Sequence, residues 1–206
     1  MRLILGLAGP IGAGKTTLAE ALAQCGFVRV PFAQALRDEV LQKFPRTLRA
    51  HLLSRDERLV FLTDQEWADR VAQAVWGKAD PFFRAILQEF GTDVRRADDM
   101  DYWVKRWTER VRALDRAVAD DMRFPNECRA VRDLGGWLVR VERPGYARLD
   151  GHESERALDG WADWDWIVKN DGDEADLAAE AGRLVAAMEA HGSVPERPDI
   201  PPVQEP

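Results

Sequence analysis

The first stretch of the chain, Arg2–Ala8 (RLILGLA), is apolar throughout after Arg2, the pattern of a short strand buried on both faces of a parallel sheet. Residues 15–25 follow as a helix whose apolar face is Leu18, Ala21 and Leu22, and 27–31 (FVRVP) read as a second strand closed by Pro31. A long helical stretch covers about 33–114, with apolar positions such as Trp103, Val104, Trp107, Val111 and Leu114 recurring at helical spacing. Three further strands are expected at 116–120 (RAVAD), 136–142 (GWLVRVE) and 164–168 (WDWIV), and a last helix at 174–190. Trp164 and Trp166 alternate along the fifth strand and read as core, as do Trp103 and Trp107 on their helix. From Gly192 the pattern stops: five prolines fall among the final 15 residues, and residues 192–206 are expected to be disordered.

Five strands with intervening helices imply an α/β, three-layer fold, a parallel sheet covered by helices on both faces. The segment between the second and third strands is too long for one crossover. It is expected to form a helical insertion, about 33–114, in a core made of 1–32 and 115–191. Such an insertion belongs at the carboxyl edge of the sheet, where open α/β folds bind ligands.

Composition narrows the function. With 46% hydrophobic and 32% charged residues in 206, the chain is expected to be one soluble domain, and it has no apolar run long enough to span a membrane. The N-terminal apolar run passes straight into glycines and Lys15 without a basic segment or cleavage site, unlike a secretory signal. Cys25 and Cys128 are far apart and lack metal-type spacing, which suits free thiols in a reducing cytoplasm. A net charge of −7 argues against general nucleic-acid binding. Small anions are not excluded, because local arginines decide their binding.

The residues with specific chemistry begin at Gly9-Pro-Ile-Gly-Ala-Gly-Lys-Thr16, a full match to GxxxxGK[ST] between a strand and a helix. In that pattern the glycines let the loop backbone curl so that its N–H groups point at the β-phosphate, at a helix N-terminus. Lys15 reaches the β- and γ-phosphates, and the Thr16 hydroxyl is placed to ligate Mg²⁺. At the end of the third strand, Asp120-Asp121-Met-Arg123-Phe-Pro-Asn-Glu127 offers an acid to hold the Mg²⁺ water shell, Asp121 being favoured of the pair, and an arginine, Arg123, for the transferring phosphate. Arg37, opening the helix after the second strand, could fork onto an acceptor monophosphate. Gln88 and Thr92 lie in LQEFGTDVRR, where Gly91-Thr92 is expected to interrupt a helix and expose groups able to read a base edge. Arg143-Pro-Gly leaves the fourth strand and could open a lid at about 143–156, with Ser154 or Glu153 capping the helix beyond and His152 a turn residue.

Together the P-loop, PFAQALR, LQEFGTDVRR, DYWV, DDMRFPNE, GGWLVRVERPG, HESE and VKND resemble the phage-type deoxynucleoside monophosphate kinases, a branch of the P-loop nucleoside monophosphate kinases. The LQ-x-x-GT-x-x-x-R and D-x-RFPNE blocks are more specific than the P-loop, and only residues 45–80 and the tail lie outside the likeness. The resemblance implies strand order 2-3-1-4-5, with a core, an acceptor-binding insertion and a lid. It also implies ATP-dependent phosphorylation of a dNMP to dNDP with Mg²⁺. Carried over by position, Gly12–Thr17 would bind the donor phosphates, and Arg37, Gln88, Thr92 and Arg96 the acceptor. Lys15, Asp121, Arg123 and Arg143 would act at the transferring group, with Mg²⁺ held at Thr16 and Asp121, directly or through water. The implied compartment is the cytoplasm, the host's if the source is a phage, and oligomeric state is left open, a homodimer included. A dephospho-CoA kinase is a rival on the same core, but it needs a carboxylate base that is not evident after the second strand. An ATPase or nucleotide-responsive regulator without an acceptor gives Arg37, Arg96, Arg123 and Arg143 no second phosphate to bind.

Overall fold

A computed structural model describes residues 1–77, 80–145 and 156–191, and only the backbone of 92–94. The greater part of the expected lid, with His152, Glu153 and Ser154, and the tail 192–206 lie outside the described residues. The chain forms two compact units, one of Met1–Pro31 and the residues from Thr108 onward, the other of Phe32–Trp107. The boundary falls inside a helix rather than after Leu114, because Trp107 belongs with Phe32, their rings stacked at 4.3 Å.

The first unit carries a five-stranded sheet of β1 (Leu3–Ala8), β2 (Val28–Arg29), β3 (Arg116–Ala119), β4 (Trp137–Glu142) and β5 (Trp166–Lys169), in the order β2-β3-β1-β4-β5. Every pairing is parallel, as the alternation of strands and helices requires. All six residues of β1 are buried, since the strand is central and covered on both faces. Leu3, Leu5 and Leu7 pack with Leu18 and Leu22 of α1 (Lys15–Gln24) and with Leu177 and Leu184 of the C-terminal helix, Glu174–His191. On the opposite face, α7 (Pro125–Asp133) brings Val131 over Gly6. Two helical layers therefore enclose the sheet.

Two sequence expectations change in detail. The second strand shrinks to Val28–Arg29 at the exposed sheet edge. The fifth begins at Trp166, because the chain is already pinned at Asp165: its carboxylate accepts the Leu138 N–H at 2.7 Å and pairs with Arg132. Trp164 precedes the strand, and it and Trp166 are half-buried rather than core. Trp166 Nε1 donates to Glu180 at 2.7 Å, which keeps that ring's polar edge satisfied at the surface.

The second unit is helical: α2 (Ala33–Lys43), α3 (Pro45–Arg55), a 3₁₀ turn (Glu57–Phe61), α4 (Asp64–Trp76), α5 (Pro81–Gln88) and α6 (Tyr102–Val111), the last crossing the unit boundary. Its core gathers Val40, Leu48, Leu52, Trp67, Val71, Val75, Phe83, Phe90 and Trp103. Local signals start the helices. Thr63 and Glu66 form a reciprocal capping box on α4, and Asp80 caps α5 by accepting the Phe82 N–H at 3.0 Å, just ahead of Pro81. The break expected at Gly91-Thr92 is absent. Instead α5 runs on as a π-helix, Glu89–Arg96. The wider winding is held by side chains distant in sequence: Trp103 Nε1 donates to the Gly91 carbonyl at 2.9 Å, and a Cβ at Gly91 would stand 2.7 Å from Leu36 Cδ2. Beside it the Glu39 carboxylate accepts from Lys43 at 2.9 Å, from the Tyr102 hydroxyl at 3.1 Å and from Arg95. No helix among the described residues is long and apolar enough to cross a membrane.

Two expectations about stability follow. A Cβ on Gly6 would lie 2.7 Å from Met122 Sδ and 3.1 Å from Val131 Cγ2. Gly6→Ala should therefore cost about 1–3 kcal/mol of overpacking in the native chain and less in a Met122→Ala background, a double-mutant cycle read from urea midpoints. The second concerns Glu39. Burial pushes its carboxyl up, but the bonds from Lys43, Arg95 and Tyr102 outweigh that and hold it below the usual carboxylate range. A carboxyl depressed on folding stabilises above its unfolded value, near pH 4.3, and that share is lost as pH falls through the lower folded value. Glu39→Gln should thus flatten the acid limb of stability between about pH 5 and pH 3, measured by denaturant unfolding across that range.

Candidate nucleotide site

β1 ends at Ala8, and the next residues must turn sharply to enter α1. Gly9 permits this at φ 144°, where a Cβ would lie 2.2 Å from the Val141 carbonyl oxygen of β4, so only glycine fits. Gly14 sits at φ 102°, and a Cβ there would meet Asn170 Nδ2 at 2.5 Å. The loop is held from behind by Asn170, 6% exposed, whose Nδ2 donates to the Ala13 carbonyl at 2.8 Å. At the front Lys15 Nζ donates to the carbonyls of Gly9 at 2.6 Å and Pro10 at 2.8 Å. Arg143, leaving β4, donates from Nη1 to the Gly12 carbonyl at 3.3 Å. Helix α1 begins here with no capping side chain and no acid in its first turn. The N–H groups of its first turn and the positive end of its dipole thus suit an anion.

Of the acid pair, Asp120 meets this loop. Its Oδ2 accepts the Thr16 hydroxyl at 3.2 Å and an Arg29 guanidinium nitrogen at 2.6 Å, and the residue is 4% exposed. The reason is the pleat of β3. Val118 packs against α1, and successive side chains alternate faces, so the residue two positions on points the same way and its neighbour does not. Asp120 Oδ1 is buried and receives no hydrogen bond from the protein. Among the described residues no three His, Cys, Asp or Glu side chains cluster as metal ligands. A single acid with a hydroxyl suits Mg²⁺, which commonly takes one or two protein ligands and completes its shell with water and phosphate oxygens.

Arg123, exposed, follows two residues later on a backbone fixed by a buried acid. Glu127, 3% exposed, accepts the N–H groups of Arg123 at 2.6 Å and Phe124 at 3.0 Å through Oε2. This is a helix-start arrangement legible in the sequence, Pro125 at the first turn with a Glu two residues later.

In the second unit the Arg37 guanidinium lies 4.7 Å above the Trp76 ring, a stacking that orients it. Arg96 closes the π-helix and is 7% exposed, while Gln88 at the end of α5 is exposed. The Thr92 side chain is outside the described residues. Arg95, next to Arg96, is held by Glu39 and lies against the Phe90 and Tyr102 rings, which marks it as structural. Reasoning on local sequence did not single out Arg29, Asn170 or Glu127. For Asn170 no local signal exists, since its partner lies 157 residues away.

Comparison with known proteins agrees in direction. A family model described as deoxynucleotide monophosphate kinase matches residues 30–180. A protein of Acanthamoeba polyphaga mimivirus, named provisionally as a deoxynucleotide monophosphate kinase, is 30% identical over 184 residues, covering 82% of this chain and 88% of its own. The deoxynucleotide monophosphate kinase of Enterobacteria phage T4 is 33% identical over 101 residues, 46% of this chain and 41% of the phage protein. Among solved structures, dephospho-CoA kinase from Campylobacter jejuni aligns with a TM-score of 0.43 at 17% identity, covering 90% of this chain and 96% of that one. TT1252 from Thermus thermophilus aligns at 0.45 and 18%, covering 91% and 98%.

Proposed function

Since this chain belongs to the deoxynucleotide monophosphate kinase family and is an ATP-dependent phosphotransferase, we propose how its residues divide the transfer of the ATP γ-phosphate to a deoxynucleoside monophosphate. The observation that supports the reading most is the loop at the head of α1, uncapped, glycine-formed and flanked by Lys15, Arg143 and the Thr16–Asp120 pair.

On this reading the N–H groups of Gly12–Thr17 bind the β-phosphate, and Lys15 exchanges the Gly9 and Pro10 carbonyls for β- and γ-phosphate oxygens. Arg143 makes a similar exchange from the Gly12 carbonyl. Thr16 and Asp120 are the residues that would hold Mg²⁺, Asp120 through its water shell; the ion when bound neutralises charge on the β- and γ-phosphates. Asp121, one residue on, contributes negative charge that favours the protonated Arg29 guanidinium. Arg123, steadied through Glu127, stabilises charge on the transferring group. Arg37, Gln88, Thr92 and Arg96 bind the acceptor, its phosphate by the arginines and its base by the polar groups. No general base is needed, because the acceptor phosphate is already an anionic nucleophile near neutral pH. Catalysis is then positioning and charge stabilisation.

The test is ADP formation from ATP with each dNMP and each ribonucleotide in turn. Acceptor-dependent ADP with at least one dNMP is expected, and none with any nucleotide would overturn the reading. Arg37→Ala should raise KM for the dNMP roughly 10- to 100-fold, the worth of one charge-assisted contact, while KM for ATP moves less than about twofold. Equal changes in both would remove Arg37 from the acceptor site.

A further inference from the structure

Arg29 is exposed on a two-residue edge strand, a place where an arginine is ordinarily solvated. Its surroundings argue otherwise. The ladder pairs Arg29 with Val118. Paired positions share a face, so the guanidinium is directed along β3 to Asp120, two residues on. The two groups meet at 2.6 Å, the arginine side chain 37% exposed and the aspartate 3%. Burial opposes the charge on the guanidinium, and the Asp120 carboxylate outweighs it and holds the arginine firmly protonated.

The consequence lies in how the two Asp120 oxygens are used. Oδ2 takes both donors, from Arg29 and Thr16, whereas Oδ1 is buried with no hydrogen bond from the protein. Turning the carboxylate would break both bonds to Oδ2, which favours this orientation with Oδ1 left for a ligand. A buried anion without a cation is also costly, and a threonine hydroxyl brings no charge.

We propose that Arg29 is a positioning residue for phosphoryl transfer: it locks Asp120 through Oδ2, leaving Oδ1 for the Mg²⁺ water shell, and offsets the buried charge of Asp120 so that an anionic nucleotide can approach the loop. This rests on the reading that Asp120 serves the ion carried with ATP. It separates two contributions, orientation, which acts on turnover, and charge, which acts on binding.

The experiment is calorimetric titration of ATP with EDTA and with excess Mg²⁺, together with steady-state kinetics, on Arg29→Met and Arg29→Lys. Arg29→Met should weaken metal-free ATP about tenfold and MgATP less than about threefold, because the ion replaces the lost charge. Its kcat should fall about 10- to 100-fold with KM for the dNMP nearly unchanged. Arg29→Lys should restore metal-free ATP binding and only part of kcat, since an ammonium supplies charge without the planar guanidinium's orientation. Equal losses of metal-free and MgATP affinity, or an unchanged kcat, would overturn the proposal. Arg29→Gln serves the same comparison if Arg29→Met does not fold. Asp120→Asn separates the two levels: a changed Mg²⁺ requirement there with none in Arg29→Met rejects the role of Arg29 alone. An unchanged requirement in Asp120→Asn rejects the role of Asp120 and that of Arg29 with it.

Discussion

The central strand Leu3–Ala8 is buried on both faces, and its parallel pairing to β3 and β4 obliges the chain to leave its carboxyl end and return over the sheet as a helix. Each of Leu3, Leu5 and Leu7, nearly or fully buried, contributes on the order of 1.5–3 kcal/mol. The turn between strand and helix has little freedom. Gly9 passes so close to the Val141 carbonyl that a methyl group cannot be placed there, and Asn170, beyond the end of β5, holds Ala13 from the other side. The phosphate loop is thus shaped by the ends of three adjacent strands. Its geometry is a property of the sheet and not of the loop alone.

The second organising constraint is charge. A chain of net charge −7 that handles anionic nucleotides cannot rely on its overall field, and beyond about 8 Å that field is largely screened at physiological salt. Binding must come from local cations whose own neighbours leave them oriented. Acids perform much of that orientation. Asp120 engages Arg29, Asp163 and Asp165 engage Arg132, and Glu39 engages Arg95, each in a half-buried or buried setting. Glu127 does the same for backbone, fixing the N–H of Arg123 and leaving its guanidinium exposed. The arginines that resemble one another in sequence therefore divide by environment. Arg95 and Arg132 tie elements together, and Arg37 is turned by an aromatic face.

How much of this was readable in advance depends on the range of the interaction involved. The five strands, the first and last helices and the parallel topology follow from runs of apolar residues and their spacing, because burial acts on every residue of a strand or helix face. The P-loop was equally plain, since its glycines answer to backbone geometry within eight residues. The break expected at Gly91-Thr92 did not occur. A glycine ends a helix by taking the left-handed conformation, which Gly91 does not, and its carbonyl is engaged by Trp103, twelve residues on. The start of β5 moved for a similar reason, Asp165 being fastened to Leu138 and Arg132 before the strand begins.

By itself, then, the sequence determined which segments are strands and helices, that the sheet is parallel, and that a phosphate loop stands at the end of its first strand. These depend on periodicity and on backbone conformations that specific residue types favour locally. Only the tertiary structure decided that Asp120 rather than Asp121 meets Thr16, that Arg29 on an edge strand fastens it, and that Asn170 braces Ala13. Each of those choices is a contact across 91 to 157 residues, apart from its neighbour by one step of a strand's pleat, or set by the register of two strands that no local pattern encodes.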